Sequence, residues 1–339
     1  MISLTWRRYL KDGVLEWLLE TENPSVRYWT LQWLMGLPHD DPEVQEAQNM
    51  VMASPTVQAI LGNQAKEGYW MKEEDMYLPK YRATTHQLLI LSELGCRPTP
   101  EIRSGLEQVF RFQRYSGHFL TKLPKTEKGR ASKITDGCCL DGNILFYMNR
   151  FGYLDDPRVQ KLIDFLVDDH SAKDAGWRCR AYPIDPDGVF PVNCYMGAVK
   201  VLKSLTIMPE EARSEVIRHI IDREVENLLE NGVYRYRRNP DGGRKEKAGW
   251  KRFGFPLFYQ SDVLEVLETL TRLGVRDPRM RDSIGLVEEY QGEDGRWIMR
   301  NSFNGKMWVN IEEKKKPSKW ITLKALSILK GYYTDLYRK

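Results

Sequence analysis

Six stretches of the chain are apolar on almost every side over helical length. They read SVRYWTLQWLMG from Ser25, THQLLILSELG from Thr85, CLDGNILFYMNRFG from Cys139, CYMGAVKVLKSL from Cys194, QSDVLEVLETLTRLG from Gln260 and KWITLKALSILKG from Lys319. A helix with so little polar face has to be covered by others. Three of the six end at Gly95, Gly152 and Gly274, which suit a left-handed C-cap. Between them lie amphipathic stretches that open on an N-cap residue followed by proline, as in HDDPEV from His39, LDDPRV from Leu154 and VRDPRM from Val275. RPTPEI from Arg97 and IMPEEA from Ile207 are weaker copies of the same start.

Each amphipathic stretch is closed by a glycine and an aromatic residue: QAKEGYW from Gln64, RYSGHF from Arg114, KDAGW from Lys173, LENGVY from Leu229 and GEDGRW from Gly292. A variable loop then leads to the next apolar helix. The unit is therefore an apolar helix, a proline-initiated amphipathic helix, a Gly-aromatic turn and a loop, repeated at uneven spacing. Six apolar helices have five amphipathic partners, and residues 1–20 can supply the sixth from the N-terminus. The pattern predicts an all-α fold, an α/α toroid of about six inner and six outer helices, with residues 1–339 as one domain and 1–20 as its closing outer helix. An open superhelix of the same helix pairs is the alternative.

Composition narrows the class. The chain has 339 residues, 42% of them hydrophobic, enough for a large core. No stretch approaches the ~20 apolar residues of a membrane span, and the first 20 residues carry scattered charge rather than a signal-peptide centre, so a cytoplasmic protein is expected. A formal net charge of +4 permits an anionic ligand but falls short of a nucleic-acid-binding surface. The basic run from Tyr234 to Gly254 reads as a solvated loop, with a lid over an anion or nucleic-acid contact as alternatives. Five cysteines argue against a disulfide scaffold. Four of them, Cys138, Cys139, Cys179 and Cys194, fall in two consecutive repeats.

The Gln, Gly and aromatic pattern before each inner helix resembles the QW-type repeat of the terpene cyclase and protein prenyltransferase β-subunit superfamily, over roughly Pro24 to Tyr332. GRASKITDGC, Gly129 to Cys138, resembles the G-R-x-x-K-x-x-D-x-C segment of the prenyltransferase β-subunits. The resemblance implies an α/α toroid with a ligand in its central cavity. It makes Arg130 and Lys133 diphosphate contacts, His86 a further one, and Asp136 and Cys138 ligands of a catalytic zinc. The family's third ligand, a histidine, is absent at Val192 and Asn193, and Cys179 and Cys194 are the candidate replacements. Two cations three residues apart before a helix N-terminus suit a diphosphate on chemical grounds alone.

The squalene-cyclase D-x-D-D motif has no convincing copy, since DPDG from Asp185 reads as a turn. Magnesium, which a diphosphate-ionising cyclase would use, is the alternative cofactor, although the acids at Asp40 and Asp41 read as a helix cap. Asp141 and Asp262 stand in the first turns of apolar helices. There they either complement the helix dipole or act as buried catalytic acids or bases of raised pKa. His86 is either a core residue or a ligand. Aromatic residues of the inner helices, Phe258 and Tyr259 among them, suit an isoprenoid wall that stabilises carbocation character. The resulting expectation is a prenyltransferase-like or terpene-cyclase-like enzyme acting on an isoprenoid diphosphate or similar lipid-like substrate, with zinc-assisted alkyl transfer as the concrete mechanism. A non-catalytic toroid that binds a lipid or protein is the alternative. The resemblance also implies a partner subunit, which the prenyltransferases use.

Overall fold

The computed structural model describes residues 5–170, 175–177, 194–237 and 244–334. The fold is mainly helical. The six apolar stretches form α2 (Pro24–Trp33), α5 (Thr84–Glu93), α8 (Cys138–Arg150), α10 (Tyr195–Thr206), α12 (Val263–Arg272) and α14 (Lys319–Tyr333). Their amphipathic partners are α3 (Pro42–Ala53), extended by α4 (Pro55–Leu61), then α6 (Pro100–Phe110), α9 (Pro157–Asp168), α11 (Glu215–Glu230) and α13 (Arg281–Glu289). Two short pieces complete the set, α1 (Val14–Leu18) and α7 (Glu127–Arg130).

The partners start where the sequence marks them. Asp41 and Asp156 accept the N–H two residues on, at 2.9 and 2.8 Å, and Thr99 that of Ile102, each ahead of a proline at the first helical position. IMPEEA behaves differently: it gives only a 3-10 turn, and α11 begins after Ser214, whose hydroxyl accepts from Ile217 N. Gly95, Gly152 and Gly274 take φ of 86°, 78° and 75°, the left-handed ends expected.

The Gly-aromatic turns are tied to the helices around them. In three of them the ring nitrogen of the tryptophan donates back into the preceding helix region: Trp70 to the Ile60 carbonyl, Trp177 to Leu166 and Trp297 to Val287, all at 2.7 to 2.8 Å. The glutamine amide that opens the turn bonds twice. Gln64 donates to the carbonyls of Gly68 and Glu101, Gln113 to Gly117 and Arg158, and Gln291 to Gly295 and Tyr9. The second acceptor always lies beside the next outer element. The glycine is required by the same approach: at Gly117, φ is 102° and a Cβ would stand 2.1 Å from the Lys161 carbonyl oxygen on α9.

Packing follows these ties. Each inner helix contacts its outer partner, α2 with α3, α5 with α6, α8 with α9, α10 with α11 and α12 with α13. The inner helices contact one another in the order α5, α8, α10, α12, α14 and α2. Trp29 Nε1 then links α2 to the Glu93 carbonyl at the end of α5. The outer neighbour of α14 is the N-terminal segment. That segment is a 3-10 turn, Thr5–Tyr9, and the short α1, interrupted by Gly13 at φ 75°, rather than one continuous helix.

The basic run was expected to be a loop and contains an antiparallel ribbon, β1 (Arg235–Arg237) with β2 (Arg244–Glu246), in which Tyr236 pairs with Lys245. No described helix is long and apolar enough to cross a membrane.

Candidate functional site

The loops ahead of α5, α12 and α14 meet at the N-terminal ends of those helices. His86, in the first turn of α5, is 3% exposed, and its Nδ1 has no hydrogen-bond partner. Aromatic rings surround it: Tyr77 at 4.8 Å, Phe258 at 5.3 Å and Tyr81 at 5.9 Å between centroids, with Phe303 stacked on Tyr81 at 4.6 Å. Burial pushes the imidazole pKa down to about 3, helped by the charge of Lys80, so the ring is neutral. Three loops supply the box. Trp308 Nε1 donating to the Arg82 carbonyl ties two of them together, and the Asn143 amide of α8 donates to the Phe258 carbonyl in the third, both at 3.1 Å. Tyr77, Tyr81 and Phe303 were not foreseen, because they come from loops too variable to carry the repeat.

GRASKITDGC lies at the same end. Arg130 closes the one-turn α7, and both Arg130 and Lys133 are exposed. The segment is stitched to the second Gly-aromatic turn: the Arg130 carbonyl accepts from Tyr115 N, and the His118 ring bonds the Ile134 carbonyl. Asp136 is engaged by the preceding turn. Its Oδ2 accepts the backbone N–H and the hydroxyl of Thr121, each at 2.7 Å.

Cys138 and Cys194 do converge. Both sulfurs crowd the Cα of Gly197, where a Cβ would meet Cys138 Sγ at 2.0 Å and Cys194 Sγ at 3.3 Å. Among the described residues no three His, Cys, Asp or Glu side chains gather as a metal site. Cys179 lies outside the described residues. Two thiols are soft donors of the kind that suit zinc.

Asp141 and Asp262 have structural work. Asp141 Oδ1 accepts from Phe119 N at 2.8 Å, the bond that Thr84 makes to Trp70 N and Thr322 to Trp297 N in other repeats. Its Oδ2 is buried without a partner, and burial raises the carboxyl to about 8. Asp262 caps α12, accepting from Glu265 N and Gly254 N, and burial raises it to about 7. The sequence marked both acids but not the turns they secure.

Further down the inner helices the interior is charged. Lys200 bonds both oxygens of Glu265 at 2.7 and 2.6 Å; Lys203 joins Glu265 to Glu93. Lys324 and Arg272 share Glu268. Nearby charge keeps Glu265 at about 2 despite burial, with Lys200 foremost. These helices read as almost wholly apolar in sequence.

No protein-family model matches the chain, and no curated protein sequence matches it. Among solved structures it resembles a protein from Actinoplanes at 14% identity and TM-score 0.42, covering 91% of this chain and 89% of that one. A cellobiose 2-epimerase from Bacillus thermoamylovorans matches at 10% and 0.40, over 70% and 69%. The type II terpene cyclase MstE from Scytonema matches at 14% and 0.31, over 83% and 96%. At these scores none of the likenesses bears on this chain's chemistry.

Proposed function

We propose that the chain is a closed α/α toroid that binds an isoprenoid-like or comparable lipid-like substrate at the His86 end and acts on it as a prenyltransferase-like or terpene-cyclase-like enzyme. Closure is supported by the order of helix contacts, which returns from α14 to α2, and by the N-terminal segment standing where α14 needs an outer partner.

The observation that carries the functional reading is the neutral His86 ring with an unpartnered Nδ1 inside an aromatic box. Aromatic faces attract positive charge, so Tyr77, Tyr81, Phe258 and Phe303 would stabilise a carbocation formed on a bound isoprenoid chain. A neutral imidazole leaves that cation unopposed by a second positive charge. Its Nδ1 can take the proton from the C–H next to the cationic carbon, whose bonding pair then becomes the new double bond. A pKa near 3 suffices there, because such a proton is far more acidic. For a diphosphate substrate the cation forms as the allylic C–O bond breaks and its electron pair leaves on the diphosphate, which Arg130 and Lys133 at the same end would stabilise.

The test is native mass spectrometry and product analysis with geranylgeranyl diphosphate and with geranylgeraniol as its uncharged counterpart. Retention of either probe by the wild type, with loss in Phe258→Ala and loss of olefin formation in His86→Leu, is expected. A chain that retains neither probe overturns the reading.

A zinc-assisted transfer is a second reading, favoured by the meeting of Cys138 and Cys194 at Gly197. Elemental analysis decides it: one zinc per chain, lost in Cys138→Ser, supports it, and metal-free protein rejects it.

A further inference from the structure

Opposite His86, roughly 14 Å away along α5 at 1.5 Å per residue, a cleft opens at the C-terminal ends of α2, α5 and α8. Its volume is about 330 Å³, within the small-molecule range. The wall includes Arg150, Arg97, His39, Gln32, Tyr28 and Trp29, and no carboxylate.

Arg150 is the informative residue. Its guanidinium lies over the Trp29 ring at 4.9 Å and the Phe146 ring at 5.5 Å. Its Nε is buried without a hydrogen-bond partner, and among the described residues no carboxylate comes within 4 Å. A cation held this way is costly unless something pairs with it. The carboxylates whose charge reaches it, Glu93 and Glu268, are in direct contact with other cations, Glu93 with Lys203 and Glu268 with Lys324 and Arg272. Arg97 stands exposed at the rim, held by Asn49.

We propose that this cleft is a binding site for a small organic oxyanion, a carboxylate or phosphate group that pairs with Arg150 and Arg97. The charge of the wall sets the sign of the ligand, and the planar guanidinium suits a two-oxygen contact. The site is separate from the aromatic box and does not depend on the reading given to it.

Titration calorimetry at low ionic strength, with inorganic phosphate, benzoate and the cation benzylamine as probes, tests the assignment. Wild-type protein is expected to bind at least one of the two anions, and not benzylamine. Binding should weaken at least tenfold in Arg150→Gln and in Arg97→Ala. Arg97 is exposed, so its variant decides the matter even where Arg150→Gln fails to fold. Absence of anion binding by the wild type, or binding unchanged in Arg97→Ala, overturns the proposal.

Discussion

The side-chain amide of Gln291 donates to the backbone carbonyl of Tyr9, 282 positions earlier in the chain, at 2.6 Å. Gln64 and Gln113 make the same bond to Glu101 and Arg158, next to the outer helix that follows each turn. The last turn thus treats the N-terminal segment as its next outer helix. Gln291→Ala is predicted to destabilise the protein by about 1–2 kcal/mol, as Gln113→Ala does, since each loses two hydrogen bonds of comparable kind. Chemical denaturation of the two variants checks this. A Gln291→Ala loss near zero beside a full Gln113→Ala loss would mean that the N-terminus is not held as the other outer elements are.

Gly117→Ala is predicted to cost more than any glutamine variant. The position combines φ of 102° with a backbone carbonyl where the methyl would go. Neither the strained backbone, worth about 1–3 kcal/mol, nor the Lys161 carbonyl can yield cheaply. Gly285→Ala, at a site with open space, is the matched control and is expected to be neutral or mildly stabilising. Equal melting temperatures for the two variants would refute the argument.

The helices, their proline starts and their glycine ends were legible because each depends on neighbours in sequence. So were the turns, since Gln113, Gly117 and Phe119 lie within one short segment. Glu265 was not legible as an ion-pair centre: its partners Lys200 and Lys203 lie 65 and 62 positions away and mark no local pattern. The wall around His86 was only half legible for the same reason. Phe258 was visible as an aromatic beside an inner helix, whereas Tyr77, Tyr81 and Phe303 become neighbours only when three loops meet. GRASKITDGC was legible as a motif, but the engagement of Asp136 by Thr121 required the preceding turn to fold against it.

Asp141 and Asp262 should make the protein more stable in mild acid than at pH 8. Their folded carboxyls sit at about 8 and about 7, above the ordinary value of 3.8. Between those limits the folded chain holds protons that the unfolded chain has released. The stabilisation is complete below about pH 4 and is lost as pH rises through 7 and 8. Asp141→Asn keeps an acceptor for Phe119 N and removes that loss, so its melting temperature relative to wild type should climb from pH 5 to pH 9. A constant offset across that range would show that Asp141 does not titrate as argued.

His86 works in the opposite direction. Its pKa falls from 6.5 to about 3 on folding, so below pH 6.5 the unfolded chain takes up a proton that the folded one refuses. The penalty grows by about 1.4 kcal/mol per pH unit until the folded ring itself protonates near pH 3. His86→Leu should therefore gain stability relative to wild type between pH 6.5 and 4, and show no pH-dependent difference above pH 7.5. Denaturant melts at pH 4.5, 6 and 8 measure this, and a gain that appears at pH 8 alone would contradict the assignment of a neutral ring.

Glu265 and Lys200 form a buried pair in which the two partners are not equivalent. Removing Lys200 leaves Glu265 bonded to Lys203, while removing the charge of Glu265 leaves Lys200 with no carboxylate and Lys203 with Glu93 alone. A buried charge stripped of its partner costs about 3–5 kcal/mol. Glu265→Gln is accordingly predicted to lose about that much, and Lys200→Met distinctly less, because its methylene stem is preserved and Glu265 keeps a cation. The double variant should be no less stable than Glu265→Gln alone, since Lys200→Met then removes the orphaned ammonium. A double variant whose loss relative to wild type equals the sum of the two single losses would show that the two residues do not interact in the folded protein.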